Sequence, residues 1–405
     1  MTGFGGRCYK GFGAPVAHED GEAVAGGTFL KTGLSGLVVS GLMIAFPSAC
    51  GGTGGSSPVT PPQTQVAAPV ISTKPALAGA QIVSLASATS GATIHYMVDG
   101  GAPTASSPVY EAPFLVASNL TLNAYATLSG GKDSSVATKA FAPNIASGTL
   151  VWSDEFSNAT GGNLQPDPTV WGYDTGNSGF GNHELEDYCA WGSSAAPCDP
   201  ANPNAYVGTD GMLHIVARKV GSGYTSARMK SQGLFSVQYG RLEAKIWAPE
   251  GQGLWPAFWT LGNNIATVNW PACGEQDIME RVNAATSPDW NEGSVHGPGF
   301  TGNVGLGTKF SFPAGQTAAG WHTYGIIWQK NSAAFYVDDP SRPYVTYTNP
   351  SSLSGLSGAV WPFDTGDSAF VILNLAVGGD WPGSPDGTTV FPAELKVDYV
   401  RVYAN

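Results

Sequence analysis

Apolar and polar residues alternate with a period of two in several segments of the C-terminal two-thirds of the chain. The clearest are Met212 to Ala217, Arg241 to Ile246 and Leu395 to Tyr403. Side chains on a strand point to alternate faces, so this period predicts strands with one buried face. Residues 369–377 are almost continuously apolar, which predicts a strand buried on both faces. Many strands with Gly-rich turns between them predict one all-β domain, a jelly-roll sandwich, over residues 148–405.

A second group of short alternating runs occupies residues 67–143, with turn residues at close intervals. This spacing predicts a small Ig-like β-sandwich. Its segment 90–127 resembles the chitobiase/hexosaminidase C-terminal-type domain that bacteria append to polysaccharide-active proteins. The unit contains no acidic pair and no metal cluster, so we expect a spacer. Weak sugar binding through Tyr96 and Tyr110 is the alternative.

Residues 1–50 have the features of an export leader. The apolar run 34–46 is too short for a comfortable membrane span and fits the core of a signal peptide. A small residue followed by Cys50 resembles a bacterial lipoprotein signal, which implies a lipid anchor on Cys50 as the one contact with a membrane. Pro47 departs from that signal, so plain secretion is the alternative to an outer-membrane lipoprotein of a bacterium. Acidic residues near the N-terminus also suggest a later start codon, and residues 51–66 predict a Gly/Ser/Pro-rich linker.

The charge balance excludes one class of partner. Lys and Arg number 18 against 30 Asp and Glu, a net charge of -12. Nucleic-acid binding needs a basic face to neutralise phosphates, so we expect no nucleic-acid partner. The chain is rich in Gly (55) and Trp (12), and only 12% of its residues are charged. Tryptophan in such excess serves two uses, a large sandwich core and flat platforms for sugar rings.

Three cysteines belong to the predicted folded domains. Cys189 and Cys198 close a short Pro-rich loop and could form a disulfide in an oxidising compartment, with two free thiols as the alternative. Cys273 would then be left unpaired. Its place two residues before Glu275 predicts a small buried side chain rather than a nucleophile.

The segment 270–281, WPACGEQDIMER, puts three carboxylic acids within six residues of a chain that is sparing with charge. Strand alternation places Glu275 and Asp277 on one face. It would place Met279 there too and send Glu280 to the other face. A β-bulge between Asp277 and Glu280 would absorb one residue and return Glu280 to the face of Glu275.

Hydrolysis of a glycosidic bond is a reaction that uses two such carboxyl groups. One carboxylic acid protonates the leaving oxygen, and a carboxylate about 5 Å away attacks the sugar carbon. The alternatives are an acidic strand in solvent and a hard-cation site with oxygen ligands. Trp270 and the segment 253–262, GLWPAFWTLG, favour a sugar-binding cleft.

The segment 270–283, WPACGEQDIMERVN, resembles the active-site strand of glycoside hydrolase family 16 in its laminarinase-like branch. The resemblance continues in order through GFGNHELEDY, YGRLEAKIWAPEGQGLWPAFWTLG, FVILNLAVGGDWPGSPD and VDYVRVY. It implies a jelly roll with an open cleft, hydrolysis with retention and no catalytic cofactor. It also implies that Glu275 is the nucleophile, Asp277 an assisting acid and Glu280 the acid/base. Gln276 departs from the family's apolar residue, and we expect its side chain to point away from the cleft.

The same resemblance implies six substrate-binding residues, three tryptophans against sugar rings, a histidine on the leaving-group side and two polar residues for hydroxyls: Trp255, Trp259, Trp270, His296, Asn182 and Arg228. Core packing is the alternative for a single tryptophan, and a structural role is the alternative for the histidine and the two polar residues. Three further tryptophans we assign to the core: Trp321, Trp328 and Trp361.

Family members also hold a structural Ca²⁺ away from the cleft, using backbone carbonyls and one aspartate. By residue match the ligands here would be Glu155, Gly211 and Asp398. Asp398 alternates with Val400 and Val402, so we expect it on a buried face, where a carboxylate needs a cation or a hydrogen bond.

Three functions remain open at this point. The first is an endo-1,3-β-glucanase of laminarinase type, acting on β-glucan as a monomer. The second is a related hydrolase of mixed-linkage glucan, agar or carrageenan; the net charge and the lack of a basic cluster near Glu275 disfavour sulfated galactans. The third is a glucan-binding protein without activity, which the presence of all three acidic residues disfavours.

Overall fold

The predicted strands assemble in two groups. The computed structural model describes residues 63–283 and 289–405, so the predicted leader, Cys50 and most of the linker lie outside the described residues. In the accessory segment the strands are β1 (Val70–Pro75), β2 (Gln81–Ala86), β3 (Thr93–Met97), β4 (Phe114–Val116), β5 (Leu120–Thr127) and β6 (Ala137–Phe141). They form two three-stranded sheets, β1-β2-β4 and β3-β5-β6.

The larger group contains the strands from Leu150 onward. They are β7 (Leu150–Asp154), β8 (Gly172–Asp174), β9 (Glu186–Tyr188), β10 (Ala205–Val207), β11 (Leu213–Val220), β12 (Gly223–Ser226), β13 (Arg228–Lys230), β14 (Gly240–Trp247), β15 (Leu254–Gly262), β16 (Glu275–Glu280), β17 (Trp290–His296), β18 (Leu306–Ser311), β19 (Trp321–Gln329), β20 (Ser332–Val337), β21 (Val345–Thr348), β22 (Ala369–Val377) and β23 (Ala393–Tyr403).

These strands build two large sheets. One has the order β21-β20-β19-β14-β23-β11-β12-β9, with β10 paired to β11 and β7 to β23, and the other has the order β18-β17-β16-β15-β22-β13-β8. The core between them is made of apolar side chains from both, such as Leu395 and Val397 from the first and Phe258 and Leu373 from the second. Every residue of β22 is buried, as its continuous apolar run predicts. The prediction of an all-β sandwich is confirmed.

Helices contribute little to the described part of the chain. One α-helical turn, α1 (Ile265–Val268), follows β15. Three 3-10 turns lie at Leu77–Gly79, Gly302–Val304 and Ser351–Leu353. Within the described ranges we find no helix whose length and apolarity would let it cross a bilayer.

The alternation expected around Asp398 is wrong. The pairing of β14 with β23 shifts by one residue there, because Lys245 pairs with Tyr399 while Ile246 pairs with Val397. Asp398 is the extra residue of this bulge and is half-buried on the side opposite the core, where its carboxylate lies 2.8 Å from the ammonium of Lys245. The apolar positions change phase at this bulge, since Val397 and Val400 both lie in the core and are three residues apart.

The accessory sandwich is packed against the larger one, and its role as a spacer stays a prediction. Thr64 to Asn405 belong to one compact unit. Ala80 and Leu115 are part of the large core. Tyr96 is 4% exposed, stacks on Phe114 and donates its hydroxyl proton to the backbone carbonyl of Gly366 at 3.2 Å. Tyr110 packs against the small core, so neither tyrosine forms an exposed sugar platform. The domain bounds at 50, 66, 143 and 148 stay predictions.

Two further expectations concern cysteines and tryptophans. Cys189 and Cys198 form the predicted disulfide, with an Sγ–Sγ distance of 1.99 Å, and Cys273 is free and buried. Trp328 and Trp361 lie in the core as expected, whereas Trp321 is 38% exposed. The assignment of Trp321 to the core is therefore wrong, because it stands at the start of β19 on the outer face, beside Lys245.

Candidate active site

The acidic strand β16 carries the predicted bulge. Asp277 pairs with Trp259 and Met279 with Phe258 on one side, which leaves Ile278 without a partner on β15. Ile278 and Met279 both point into the core. Because two successive side chains face inward, Glu280 returns to the face of Glu275 and Asp277, and all three line one cleft.

The neighbouring strand β17 completes the site by its register. His296 pairs with Glu275, Ser294 with Asp277, and Glu292 with Glu280. Directly opposed residues of antiparallel strands place their side chains on the same face. The register therefore brings a hydroxyl and an imidazole to the acidic residues.

Glu275 and Asp277 have different partners. The indole N–H of Trp270 donates to Oε2 of Glu275 at 2.8 Å. The hydroxyl of Ser294 donates to Oδ2 of Asp277 at 2.7 Å, and Nε2 of His296 lies 3.1 Å from the same oxygen. Both partners of Asp277 therefore come from β17. His296 also approaches Oε1 of Glu275, at 3.9 Å.

Glu280 lies at the other end of the acidic group. The indole N–H of Trp255 donates to its Oε1 at 3.0 Å, and the side-chain carbonyl of Asn291 accepts its backbone N–H at 3.2 Å. Trp255 in turn contacts Trp381 edge to face, with ring centroids 5.3 Å apart. Each glutamate thus accepts a hydrogen bond from its own tryptophan, and the bulge of β16 lies between the two glutamates.

Burial and the neighbouring carboxylates raise the pKa values of both glutamates, and the same carboxylates raise the pKa of His296. Burial raises the pKa of Glu275 to about 8, and the charge of Asp277 acts in the same direction, against His296 and the Trp270 hydrogen bond. Burial, with the charge of Asp277, raises the pKa of Glu280 well above its usual range. Burial lowers the pKa of His296, but the hydrogen bond to Asp277 and the three negative charges outweigh it and raise the value to about 9.

Glu275, Asp277 and His296 have a second chemical capacity. Their donor atoms all lie within 4.8 Å of one another, so among the described residues these three are the group that could hold a metal ion. The same atoms already have partners in Trp270, Ser294 and one another. Acid–base chemistry by paired carboxyl groups uses them without a metal.

All six predicted substrate-binding residues line the cleft. Trp255 and Trp259, four residues apart on β15, share its cleft face as the alternation predicts. The indole N–H of Trp259 donates to Oδ1 of Asn374 at 2.8 Å. The guanidinium of Arg228 lies 4.7 Å from the centroid of the Trp259 ring and 3.0 Å from the carboxylate of Asp174.

Asn182 reaches the cleft from the segment before β9. Its side-chain amide donates to Oε1 of Glu184 at 3.3 Å, and Oε2 of Glu184 accepts the hydroxyl proton of Tyr188 at 2.8 Å. Gln276 points away from the cleft as expected; it is buried and accepts a hydrogen bond from Thr260 at 3.2 Å.

Several cleft residues could not be predicted from the sequence, because they come from segments far from the acidic strand. They are Glu184, Glu292, Ser294, Lys309, Asn374 and Trp381. Asn374 lies in the middle of an apolar run, which is a signal that could have identified it, since a lone amide in a buried strand needs a partner. Trp381 follows β22 in a loop and carries no comparable signal.

The residues proposed for calcium lie on β23 of the cleft-free sheet and next to two strands that pair with it. Asp154 pairs with Val400 on β23, and Leu213 pairs with Val397. The end of β7 and the start of β11 therefore meet β23 on either side of Asp398, with Glu155 directly after β7 and Gly211 two residues before β11. The carboxylate of Glu155 itself accepts two hydrogen bonds from Arg401, at 2.9 and 2.8 Å.

Two families match the chain. Residues 194–401 match the family described as glycosyl hydrolases family 16. Residues 74–138 match the chitobiase/beta-hexosaminidase C-terminal domain. Both resemblances stated from the sequence are confirmed.

Relatives of known name cover the larger sandwich. The chain is 38% identical to a beta-glucanase of Rhodothermus marinus, over 63% of this chain and 84% of the relative. It is 32% identical to glucan endo-1,3-beta-glucosidase A1 of Niallia circulans, over 64% of this chain and 38% of that longer protein. The catalytic domain of an endo-1,3-beta-glucanase (laminarinase) from Thermotoga petrophila RKU-1 superposes with a TM-score of 0.54 and 38% identity, covering 64% of this chain and 98% of that one.

Proposed function

The chain belongs to glycosyl hydrolases family 16, and we propose from its cleft that it cuts the β-1,3-linked glucan laminarin at internal bonds with retention of configuration. Two of the three similar proteins named above are, by name, a glucan endo-1,3-beta-glucosidase and an endo-1,3-beta-glucanase. Glycoside hydrolases of this kind need no catalytic cofactor. The observation that carries the proposal is the bulge of β16, which directs Glu275 and Glu280 to one cleft.

The first step uses both glutamates. Glu280, whose pKa is raised by burial, gives its proton to the glycosidic oxygen as the bond to the sugar carbon breaks. The carboxylate of Glu275 attacks that carbon and forms a glycosyl ester. The leaving sugar departs with the proton of Glu280.

The second step reverses these roles. Water enters, Glu280 takes its proton, and the resulting hydroxide displaces Glu275 from the sugar carbon, so two inversions give retention. Asp277 keeps Ser294 and His296 as its partners through both steps. The cationic His296 favours the ionised form of Glu275, which the attack requires.

The charge of the cleft supports a neutral substrate. Glu184 and Glu292 add two carboxyl groups to the three of β16. Arg228 pairs with Asp174, His296 lies 3.1 Å from Asp277, and the ammonium of Lys309 lies 3.7 Å from the centroid of the Trp290 ring. A sulfated galactan would bring further negative charge to a surface that already carries these five carboxyl groups.

Product analysis tests the proposal. Wild type and Glu275→Gln are incubated with laminarin, lichenan and agarose, and released reducing sugar and oligosaccharide lengths are measured. We expect a ladder of oligosaccharides from laminarin with wild type and almost none with the variant. Binding of laminarin without products would support a glucan-binding protein instead. Preferential cleavage of lichenan or agarose would support another specificity within the family.

Three features outside the cleft complete the proposal. We propose that the protein is exported, with a lipid on Cys50 that mass spectrometry of the mature N-terminus would detect, and that it is a monomer, which light scattering tests. We also propose a structural Ca²⁺ held by the backbone carbonyls of Glu155 and Gly211 and by Asp398. The meeting of β7, β11 and β23 supports this site, and Lys245 would have to release the Asp398 carboxylate to the ion.

A further inference from the structure

The accessory sandwich contacts the larger one through buried hydrogen bonds. The backbone N–H of Leu115 donates to the carbonyl of Ser236 at 3.0 Å. In return, the hydroxyl of Ser236 donates to the carbonyl of Pro113 at 2.8 Å. Ser236 is fully buried, so its side of the contact is shielded from water, where a hydrogen bond is stronger than in solvent.

Ser236 connects this contact to the segment that follows β15. Its Oγ lies 2.8 Å from Oγ of Ser368, and the side-chain amide of Asn263 donates to Oγ of Ser368 at 2.9 Å. Each hydroxyl has one proton. Because Ser236 gives its proton to Pro113, Ser368 must donate to Ser236, and Asn263 donates to Ser368. The chain of donors therefore runs in one direction, from Asn263 to the accessory sandwich.

A second set of contacts lies beside the first. Tyr96 of the accessory sandwich donates to the carbonyl of Gly366 at 3.2 Å. The next residue, Asp367, accepts the side-chain amide of Asn264 at 2.8 Å. Glu111 of the accessory sandwich also faces Asp367; burial raises the pKa of Glu111, and the charge of Asp367 adds to this. Asn263 and Asn264 are thus both held by residues that contact the accessory sandwich.

Asn263 and Asn264 begin the connection from β15 to the acidic strand. This connection contains α1 and Trp270, and it closes where the N–H of Gly262 donates to the carbonyl of Gly274 at 3.1 Å. Trp270 donates to Glu275 at 2.8 Å. The start of the connection is therefore tied to the accessory sandwich, and its end carries the donor that faces the nucleophile.

We propose that the accessory sandwich is a positioning element of the active site, which holds Trp270 in hydrogen-bonding distance of Glu275 through Ser236, Ser368 and Asn263. The functional part of this inference rests on the proposed role of Glu275 as nucleophile. The Trp270 hydrogen bond lowers the pKa of Glu275 against the effect of burial. Loss of the accessory contacts lengthens this bond, so Glu275 then ionises at higher pH.

Two conservative variants test the connection in the full chain. Ser236→Ala removes the hydroxyl that links Pro113 to Ser368. Tyr96→Phe removes the hydroxyl that donates to the backbone carbonyl of Gly366. Tyr110→Phe is the matched control, because its ring packs inside the accessory sandwich. The protein is labelled with 5-fluorotryptophan, and the Trp270 resonance is assigned with Trp270→Phe. Laminarin kcat/KM is measured from pH 4 to 10 for each variant.

We expect Ser236→Ala and Tyr96→Phe to shift the Trp270 fluorine resonance, to move the acid limb of kcat/KM to higher pH, and to lower kcat/KM at pH 7 by about 3- to 10-fold. Tyr110→Phe leaves all three unchanged. An unmoved Trp270 resonance in both folded variants would overturn the proposal. The resonance reports on the coupling even if laminarin is not cleaved, so failure of the proposed function and failure of this inference are distinguishable.

Discussion

Replacement of His296 by glutamine tests the electrostatic arrangement of the cleft. With a pKa raised to about 9, His296 is a cation at neutral pH, and its Nε2 lies 3.9 Å from the carboxylate of Glu275. Glutamine keeps a side chain that can donate to Asp277 but removes the charge. The attack on the sugar carbon needs ionised Glu275, so any rise in its pKa moves the acid limb of kcat/KM to higher pH.

The distance between His296 and Glu275 determines how far the pKa of Glu275 rises when the cation is removed. Two unit charges about 4 Å apart interact by about 4 kcal/mol at an effective dielectric constant of about 20, and by about 1 kcal/mol in water. Since about 1.4 kcal/mol corresponds to one pKa unit, loss of the cation raises the pKa of Glu275 by about 1 to 3. Starting from about 8, kcat/KM at pH 7 should fall about 10- to 1000-fold.

The assay is the pH profile of laminarin hydrolysis for wild type, His296→Gln and a control. His214→Gln is the control, because His214 is also buried between two carboxylates, 3.0 Å from Asp210 and 3.4 Å from Glu394, but lies on the other sheet. The deficit of His296→Gln should shrink as the pH rises above 8. An acid limb that stays in place, or a deficit of equal size at every pH, would refute the electrostatic reasoning.

Three other changes have expected outcomes. Glu280→Gln should lower kcat on laminarin about 10²- to 10⁴-fold, with a smaller loss on an aryl β-glucoside whose leaving group needs no proton, as steady-state kinetics would show. Removal of the Cys189–Cys198 disulfide by double replacement with serine should lower the free energy of unfolding by about 2 to 3 kcal/mol in urea titrations while cleavage persists. Ca²⁺ at 100 times its dissociation constant should stabilise the fold by about 2.7 kcal/mol, and Asp398→Asn should remove most of this gain; an unchanged midpoint of thermal unfolding after EDTA treatment would contradict the calcium site.

The sequence predicts those features of the site that depend on neighbours along one strand. Trp255 and Trp259 share a face because they are four residues apart on β15. The partners of Asp277 could not be predicted in this way, since Ser294 and His296 reach it through the register of β17. Register depends on how a strand's whole apolar face meets the core, and the local sequence contains little of that information.

The accessory contacts were hidden for a related reason. Ser236, Ser368 and Tyr96 are residue types that turns and half-buried strands commonly contain, so nothing in the sequence distinguishes them. Their role follows from burial, because a hydroxyl removed from water must find a partner. Only the packed structure shows that the partner of Ser236 belongs to the other sandwich.

The two bulges show what makes an irregular strand predictable. In β16 the acidic residues have a common task, so regular alternation conflicts with the chemistry, and one extra residue resolves the conflict. In β23 the residue Asp398 has no such constraint, and counting back from Val400 and Val402 places it on their buried face. The core residues Val397 and Val400 are three apart, however, and the bulge between them turns Asp398 outward. Alternation alone therefore gave the wrong face for both Glu280 and Asp398, and only for Glu280 did the chemistry call for a bulge. A bulge can be inferred from sequence when residues that must act together fall on opposite faces, or when the apolar positions of a strand change phase.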